Sequence, residues 1–153
     1  MLIDLNKNLK KYAVYPLGFI QVGAHLGDEV DYFKKINSNA PIYLFEPQKE
    51  LFKKLKEKFK KDNSVLVFNT ALGDTVEYST MYKDTNNDSQ SSSILQPKDH
   101  LKYHSYIKFE KDNKEVIEIN TLDSYNISNS NILCIDVQGY ELKVLYGSKN
   151  LLN

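Results

Sequence analysis

The sequence predicts an α/β fold, a mostly parallel, doubly wound sheet with helices packed on its faces. Three observations predict it. Four-residue apolar runs alternate with segments whose apolar residues recur at helical spacing. The first run ends at glycine and the second at an acid followed by proline, the punctuation of a strand-to-helix turn. The chain has 153 residues, the length of one domain with a substantial core.

Residues 1–15, rich in Lys and Asn with scattered Leu, read as a leading tail or short helix. Residues 17–22 form an apolar run ending at Gly23, and Val30, Phe33 and Ile36 follow at helical spacing. Pro41 stops that helix, and Ile42–Phe45 is a second buried strand ending at Glu46 and Pro47. Leu51, Phe52, Leu55 and Phe59 mark the apolar face of a second crossover helix. Lysines cover its remaining surface and crowd its last turn, where the macrodipole favours them. Asp62, Asn63 and Ser64 break it, and Val65–Phe68 is a third strand running into Asn69, Thr70, Ala71, Leu72, Gly73 and Asp74. Residues 76–82 and 116–119 alternate apolar and polar, which predicts an antiparallel β-hairpin insertion around a long polar loop at residues 83–98. A helical turn at residues 121–125 precedes a fourth parallel strand, Ile132–Ile135, and residues 140–152 read as its helix. Four parallel strands leave that last one as an apolar edge.

Composition narrows the function. The 20 basic residues are all Lys and balance 20 acids, so no whole-molecule field draws the chain to nucleic acid or anionic lipid. Without Arg there is no bidentate clamp for phosphate or carboxylate. Apolar runs of four residues fall far short of the ~20 that a membrane helix needs. The start of the chain breaks its apolar residues with charge at once, unlike an export signal. The single cysteine, Cys134, has no intramolecular disulfide partner. A cytoplasmic, reducing setting is expected.

In an open parallel sheet, ligands bind beyond the carboxyl ends of the strands, where the strand order reverses. The first end carries Gly23, Ala24, His25, Leu26 and Gly27, a G-x-x-x-G turn that allows close backbone approach. Glu46 ends the second strand, where a carboxylate can accept hydrogen bonds from both hydroxyls of a ribose. Together these point to a nucleoside-containing cofactor. Asn69 and Ala71 at the third end lie where an adenine ring would sit. Asp136 ends the fourth strand, with Glu141 in the first turn of the helix that follows.

The ordered set Phe19-Ile20-Gln21-Val22-Gly23-Ala24-His25-Leu26-Gly27, Phe45-Glu46-Pro47, Ala71-Leu72-Gly73-Asp74, Thr121-Leu122-Asp123 and Ile135-Asp136-Val137-Gln138-Gly139-Tyr140-Glu141 resembles the FkbM family of S-adenosylmethionine-dependent methyltransferases, over nearly the whole chain. The resemblance implies a Rossmann-like class I methyltransferase sheet and O-methylation of hydroxyls on sugars or secondary metabolites. By the same resemblance Gly23, Ala24, His25 and Gly27 line the methionine end of the cofactor, Glu46 holds its ribose, and Asn69, Ala71 and Leu72 border its adenine. Gln21 stands where the family often has Asp; its amide oxygen would accept from the cofactor's amino group. Class I methyltransferases continue past this last helix, so the sheet is expected to lack its C-terminal strands.

Methyl transfer to a hydroxyl needs a group to orient the acceptor and take its proton. Asp136 is the first expectation for that role and Glu141 the second. The polar segment at residues 84–96, with Ser91, Ser92 and Ser93, is the expected acceptor-binding element for a small-molecule or glycan hydroxyl. His100 and His104 are spaced i, i+4 but lack a Glu between them in the required place, so no metal is expected. The lysines of residues 49–61 read as a solvated helix surface, because Phe52 and Phe59 fall on the opposite, apolar face. Neither nucleic acid nor a membrane is expected as a partner, while the open sheet edge offers a place for self-association. Two alternatives remain. A nicotinamide-dependent oxidoreductase would need a pyrophosphate cradle that this turn, without its middle glycine, does not supply. A noncatalytic binding or assembly module would pair its fourth strand with another chain.

Overall fold

The computed structural model describes residues 4–83, 92–94 and 114–153. Helix α1, Leu5–Lys11, opens the chain, capped by Asp4, whose Oδ1 accepts from Lys7 N at 3.0 Å. Strands β1 (Phe19–Val22), β2 (Ile42–Phe45) and β3 (Val65–Phe68) alternate with helices α2 (Val30–Ile36) and α3 (Lys49–Lys58), as the spacing predicts. Next come β4 (Ala71–Leu72), β5 (Glu77–Tyr82), β6 (Lys114–Asn120) and a 3-10 turn, Leu122–Tyr125. Strand β7 (Ile132–Ile135) and helices α4 (Glu141–Tyr146) and α5 (Lys149–Leu152) follow. Among the described residues no helix is long and apolar enough to cross a membrane.

The main sheet is all parallel, in the order β3-β2-β1-β7. Strand order therefore reverses at β1, and its carboxyl end, with those of β2 and β7, surrounds the switch point. All four residues of β1 are buried, as expected for a parallel strand covered on both faces. Phe19 faces the layer of α2 and α3, stacking on Phe33 with ring centroids 4.6 Å apart, among Val30, Ile42, Leu44 and Leu55. Ile20 and Val22 face the opposite layer with Phe45, Leu72, Leu122 and Val144. There Tyr125 meets Phe45 and Phe68 edge to face, at 4.9 and 5.1 Å. The partly buried strands β3 and β7 are the edges of this sheet among the described residues.

The antiparallel pair is present, running from Glu77 opposite Ile119 to Tyr82 opposite Lys114. It belongs to a second sheet, β4-β6-β5, in which the short β4 joins β6 in parallel. Ile117 and Ile119 point inward while Val116 is exposed, the alternation that period-2 patterning requires. The single helix expected over residues 140–152 is instead two, α4 and α5. The break falls at Gly147, the C-cap of α4, where a Cβ would sit 1.8 Å from the Gly73 carbonyl oxygen, so helix end and β4 loop meet backbone to backbone. Of the expected polar loop, residues 84–91 and 95–98 lie outside the described residues, as do His100 and His104.

Helix α3 docks on the sheet through Leu51 and Leu55, with its lysines outward. Truncating the fully buried Leu55 to Ala is expected to cost about 2–5 kcal/mol of unfolding free energy, while Lys53→Ala, on the exposed face, stays within about 0.5 kcal/mol. Urea unfolding of both variants checks this.

Candidate active site

The turn after β1 is built from left-handed residues: Gly23 at φ 80°, His25 at φ 48° and Gly27 at φ 68°. Gly23 is required twice over, by its φ and by space, since a Cβ would meet the Asp136 carbonyl oxygen at 2.0 Å. The backbone of β7 thus passes directly over the glycine. Gly23 N and Ala24 N both donate to Phe45 O at 3.0 Å, which binds the turn to the end of β2.

Glu46 follows Phe45 and is 3% exposed. One carboxylate oxygen accepts from His25 N and the other from Gln48 N, each at 2.9 Å. Burial pushes the carboxyl up from 4.5 to about 7, against the pull of the Gln48 and His25 hydrogen bonds and of the His25 charge; Glu115 adds to the rise. An ionised carboxylate has about four acceptor positions, so each oxygen keeps one for a further donor.

These strand ends enclose a cleft of about 560 Å³, counting the part open to solvent. Of the residues expected at the site, Gly23, His25, Glu46, Ala71, Leu72 and Asp136 line it. The other five do not, and each has a physical reason. Gln21 shares the face of Phe19, two residues away in the strand, so its side chain leaves the cleft for the α2 layer. Its Oε1 is buried there with no hydrogen-bond partner among the described residues. Ala24 is packed in the core, and Gly27 lies beneath the Leu55 and Phe59 side chains of the α3 segment. Asn69 turns its amide onto the carbonyls of Glu46 and Pro47, at 3.0 and 2.8 Å, tying β3 to β2. Glu141 Oε1 accepts from Val137 N and Gly139 N, at 3.2 and 3.1 Å, and so spends its carboxylate on the turn rather than on the cleft. Although partial burial opposes it, hydrogen bonds from its own N–H and those of Gly139 and Val137 hold that carboxyl below its ordinary value.

Lining residues beyond the expected set include Met81, Gln138 and Tyr140, while Ile94 belongs to the 84–96 segment expected to meet an acceptor. Met81, Ile94 and Tyr140 form an apolar wall from β5, the 92–94 segment and the start of α4. Ser92 and Ser93, part of the polar segment expected to meet an acceptor, line the cleft and are buried. Ser93 exchanges backbone hydrogen bonds with Tyr82, at 2.8 and 3.0 Å, and its hydroxyl donates to Gln138 O at 3.1 Å. The Gln138 amide donates to Asp136 Oδ1 at 3.0 Å. Gln138 and Tyr140 sit inside the last motif and were within reach of the sequence, whereas Met81 carries no local signal.

The profile of the family described as the methyltransferase FkbM domain matches residues 21–153, from the second half of β1 to the end of α5. The chain is also 24% identical over 143 residues to the protein named 2-O-methyltransferase NoeI of Sinorhizobium fredii (strain NBRC 101917 / NGR234). That alignment covers 87% of this chain and 58% of the relative, so the chain spans little more than half of the relative's length.

Two outcomes follow from the buried groups. Between pH 4.5 and about 7 the folded state holds the Glu46 proton and the unfolded state releases it, so stability is full below 4.5 and falls as pH rises through 7. Glu46→Gln cannot ionise; from pH 5 to 8 its unfolding free energy should gain about 3 kcal/mol relative to wild type, read from urea melts across pH. Gln21→Met removes the unpartnered oxygen and should raise stability by about 1 kcal/mol, a melting-temperature increase of roughly 2–4 °C by calorimetry.

Proposed function

Since the chain belongs to the FkbM methyltransferase family, we propose that it uses S-adenosylmethionine to methylate a hydroxyl group of a sugar or related small molecule. The observation that carries the reading is Glu46, buried at the end of β2 and held by the backbone of the glycine turn that borders the same cleft. Its remaining acceptor positions suit the two hydroxyls of a ribose. Phe45, Ala71 and Leu72 line the cleft beside it with apolar groups that suit an adenine ring. The residues present therefore fit the nucleoside part of the cofactor. When bound, S-adenosylmethionine supplies a sulfonium methyl carbon, whose bond to sulfur breaks as a bond to the acceptor oxygen forms.

The chain's own part is alignment, exclusion of water and removal of one proton. Asp136 ends β7 beside Gly23, where its carboxylate orients the acceptor hydroxyl and takes its proton. Gln138 steadies that carboxylate through its amide. Met81, Ile94 and Tyr140 keep water from one side, and the polar edge at Ser92 and Ser93 suits a polyhydroxylated acceptor. The name of the S. fredii relative, a 2-O-methyltransferase, supports a hydroxyl acceptor.

Isothermal titration with S-adenosylhomocysteine tests the cofactor. Binding is expected in the micromolar range, at least tenfold weaker in Glu46→Ala and unaffected by NAD; a folded protein that does not bind overturns the reading. Transfer of labelled methyl to a panel of monosaccharides and methyl glycosides tests the acceptor. Asp136→Asn should lower transfer about 100-fold or more while leaving S-adenosylhomocysteine affinity within threefold.

A further inference from the structure

We propose that Glu141 is a positioning residue: its carboxylate holds the turn after β7 in the shape that lays the Gln138 amide on Asp136 and the Gln138 carbonyl on Ser93. The turn cannot hold that shape unaided. Gln138 at φ 55° and Gly139 at φ 100° are consecutive left-handed residues, and for Gln138 that conformation is disfavoured by its own Cβ. The local backbone support is a hydrogen bond of 3.4 Å from Tyr140 N to Val137 O.

Glu141 supplies the remainder from the first residue of α4. A single oxygen, Oε1, accepts from the amides on both sides of Gln138, at Val137 and Gly139. Two donors converging on one acceptor fix the Asp136–Val137 and Gln138–Gly139 peptide planes, which bracket Val137 and Gln138, and with them the direction of the Gln138 carbonyl and side chain. The side chain then reaches Asp136 Oδ1, and the carbonyl receives the Ser93 hydroxyl, which anchors the 92–94 wall of the cleft. Glu141 therefore acts on the cleft through Gln138 without lining it. One acceptor oxygen at the right reach is sufficient; the charge is not needed.

The inference rests on the proposed function only in taking Asp136 as the acceptor-side carboxylate, and its test uses the ligand-free protein. A failure to bind S-adenosylhomocysteine is thus separate from a failure here. The experiment is nuclear magnetic resonance of the ¹⁵N-labelled chain with Glu141→Ala, Glu141→Gln and Glu141→Asp. In Glu141→Ala the Val137 and Gly139 amides should exchange at least tenfold faster, and the Gln138 side-chain amide resonances should move to those of free glutamine. Glu141→Gln, which keeps an acceptor oxygen at the same reach, should match wild type in both. Glu141→Asp, one methylene short, should match Glu141→Ala, and if Glu141→Ala does not fold, the Asp and Gln variants alone decide. A purely stabilising role would lower the melting temperature without moving the Gln138 resonances. Unmoved Gln138 resonances in folded Glu141→Ala or Glu141→Asp, or a Glu141→Gln protein as altered as Glu141→Asp, overturns the proposal.

Discussion

Strand β1 is buried on both faces and hydrogen-bonded in parallel on both edges, and its register places the other parts of the site. Val22 lies opposite Phe45 on one side and Ile135 on the other, so three strands finish at one level. Their next residues, Gly23, Glu46 and Asp136, then emerge side by side at one end of the sheet, with Gly23 packed against the Asp136 backbone. Glycine is the residue that permits this, because any Cβ at position 23 would overlap the Asp136 carbonyl. The shared level is also what brings His25 N within hydrogen-bond reach of Glu46.

Glu46 shows what such a site costs the fold. A carboxyl buried among strand ends is disfavoured when charged, and two backbone donors offset that penalty only in part, leaving it poised near neutrality. A fold selected for stability alone would put an apolar residue there. Its place at the cleft, held by the backbone of the glycine turn, is the observation on which the proposed ribose-binding role rests. The unpartnered Gln21 oxygen belongs to a different category. It lies in the α2 layer away from the cleft, so it weakens the core without a visible role in the site.

The second sheet completes the cleft from the other side. Strand β5 carries Met81 and, through Tyr82, the backbone pairing that holds Ser93. Gly147 against Gly73 keeps α4 close to the same loop, and Lys143 bridges to Asp74 at 2.7 Å nearby. The side of the cleft formed by Met81, Ser93 and Tyr140 is therefore assembled from segments distant in the chain, whereas the Glu46 side comes from consecutive strand-turn units.

That contrast explains how much was legible in advance. Alternating apolar runs and helical spacing are local, repeated signals, so the parallel strands and crossover helices could be read from the sequence, as could Gly23, Glu46 and Asp136, each at the tip of a strand. The direction of a side chain at the same tips was not legible. Gln21 and Val22 are neighbours, yet strand periodicity sends one to the α2 layer and the other toward the cleft. Asn69 and Glu141 look like site residues by position, but their polar atoms meet backbone groups that only the folded turns bring within reach. Met81, Ile94 and Ser93 enter the cleft because a second sheet packs there, through contacts between segments far apart in sequence. The sequence by itself determined the strand and helix alternation, the family resemblance and the residues that end each parallel strand, because these depend on near neighbours. Tertiary structure alone decided which of those residues face the cleft and what closes its far side, because hydrogen-bond partners and packing surfaces are set by segments that meet only after folding.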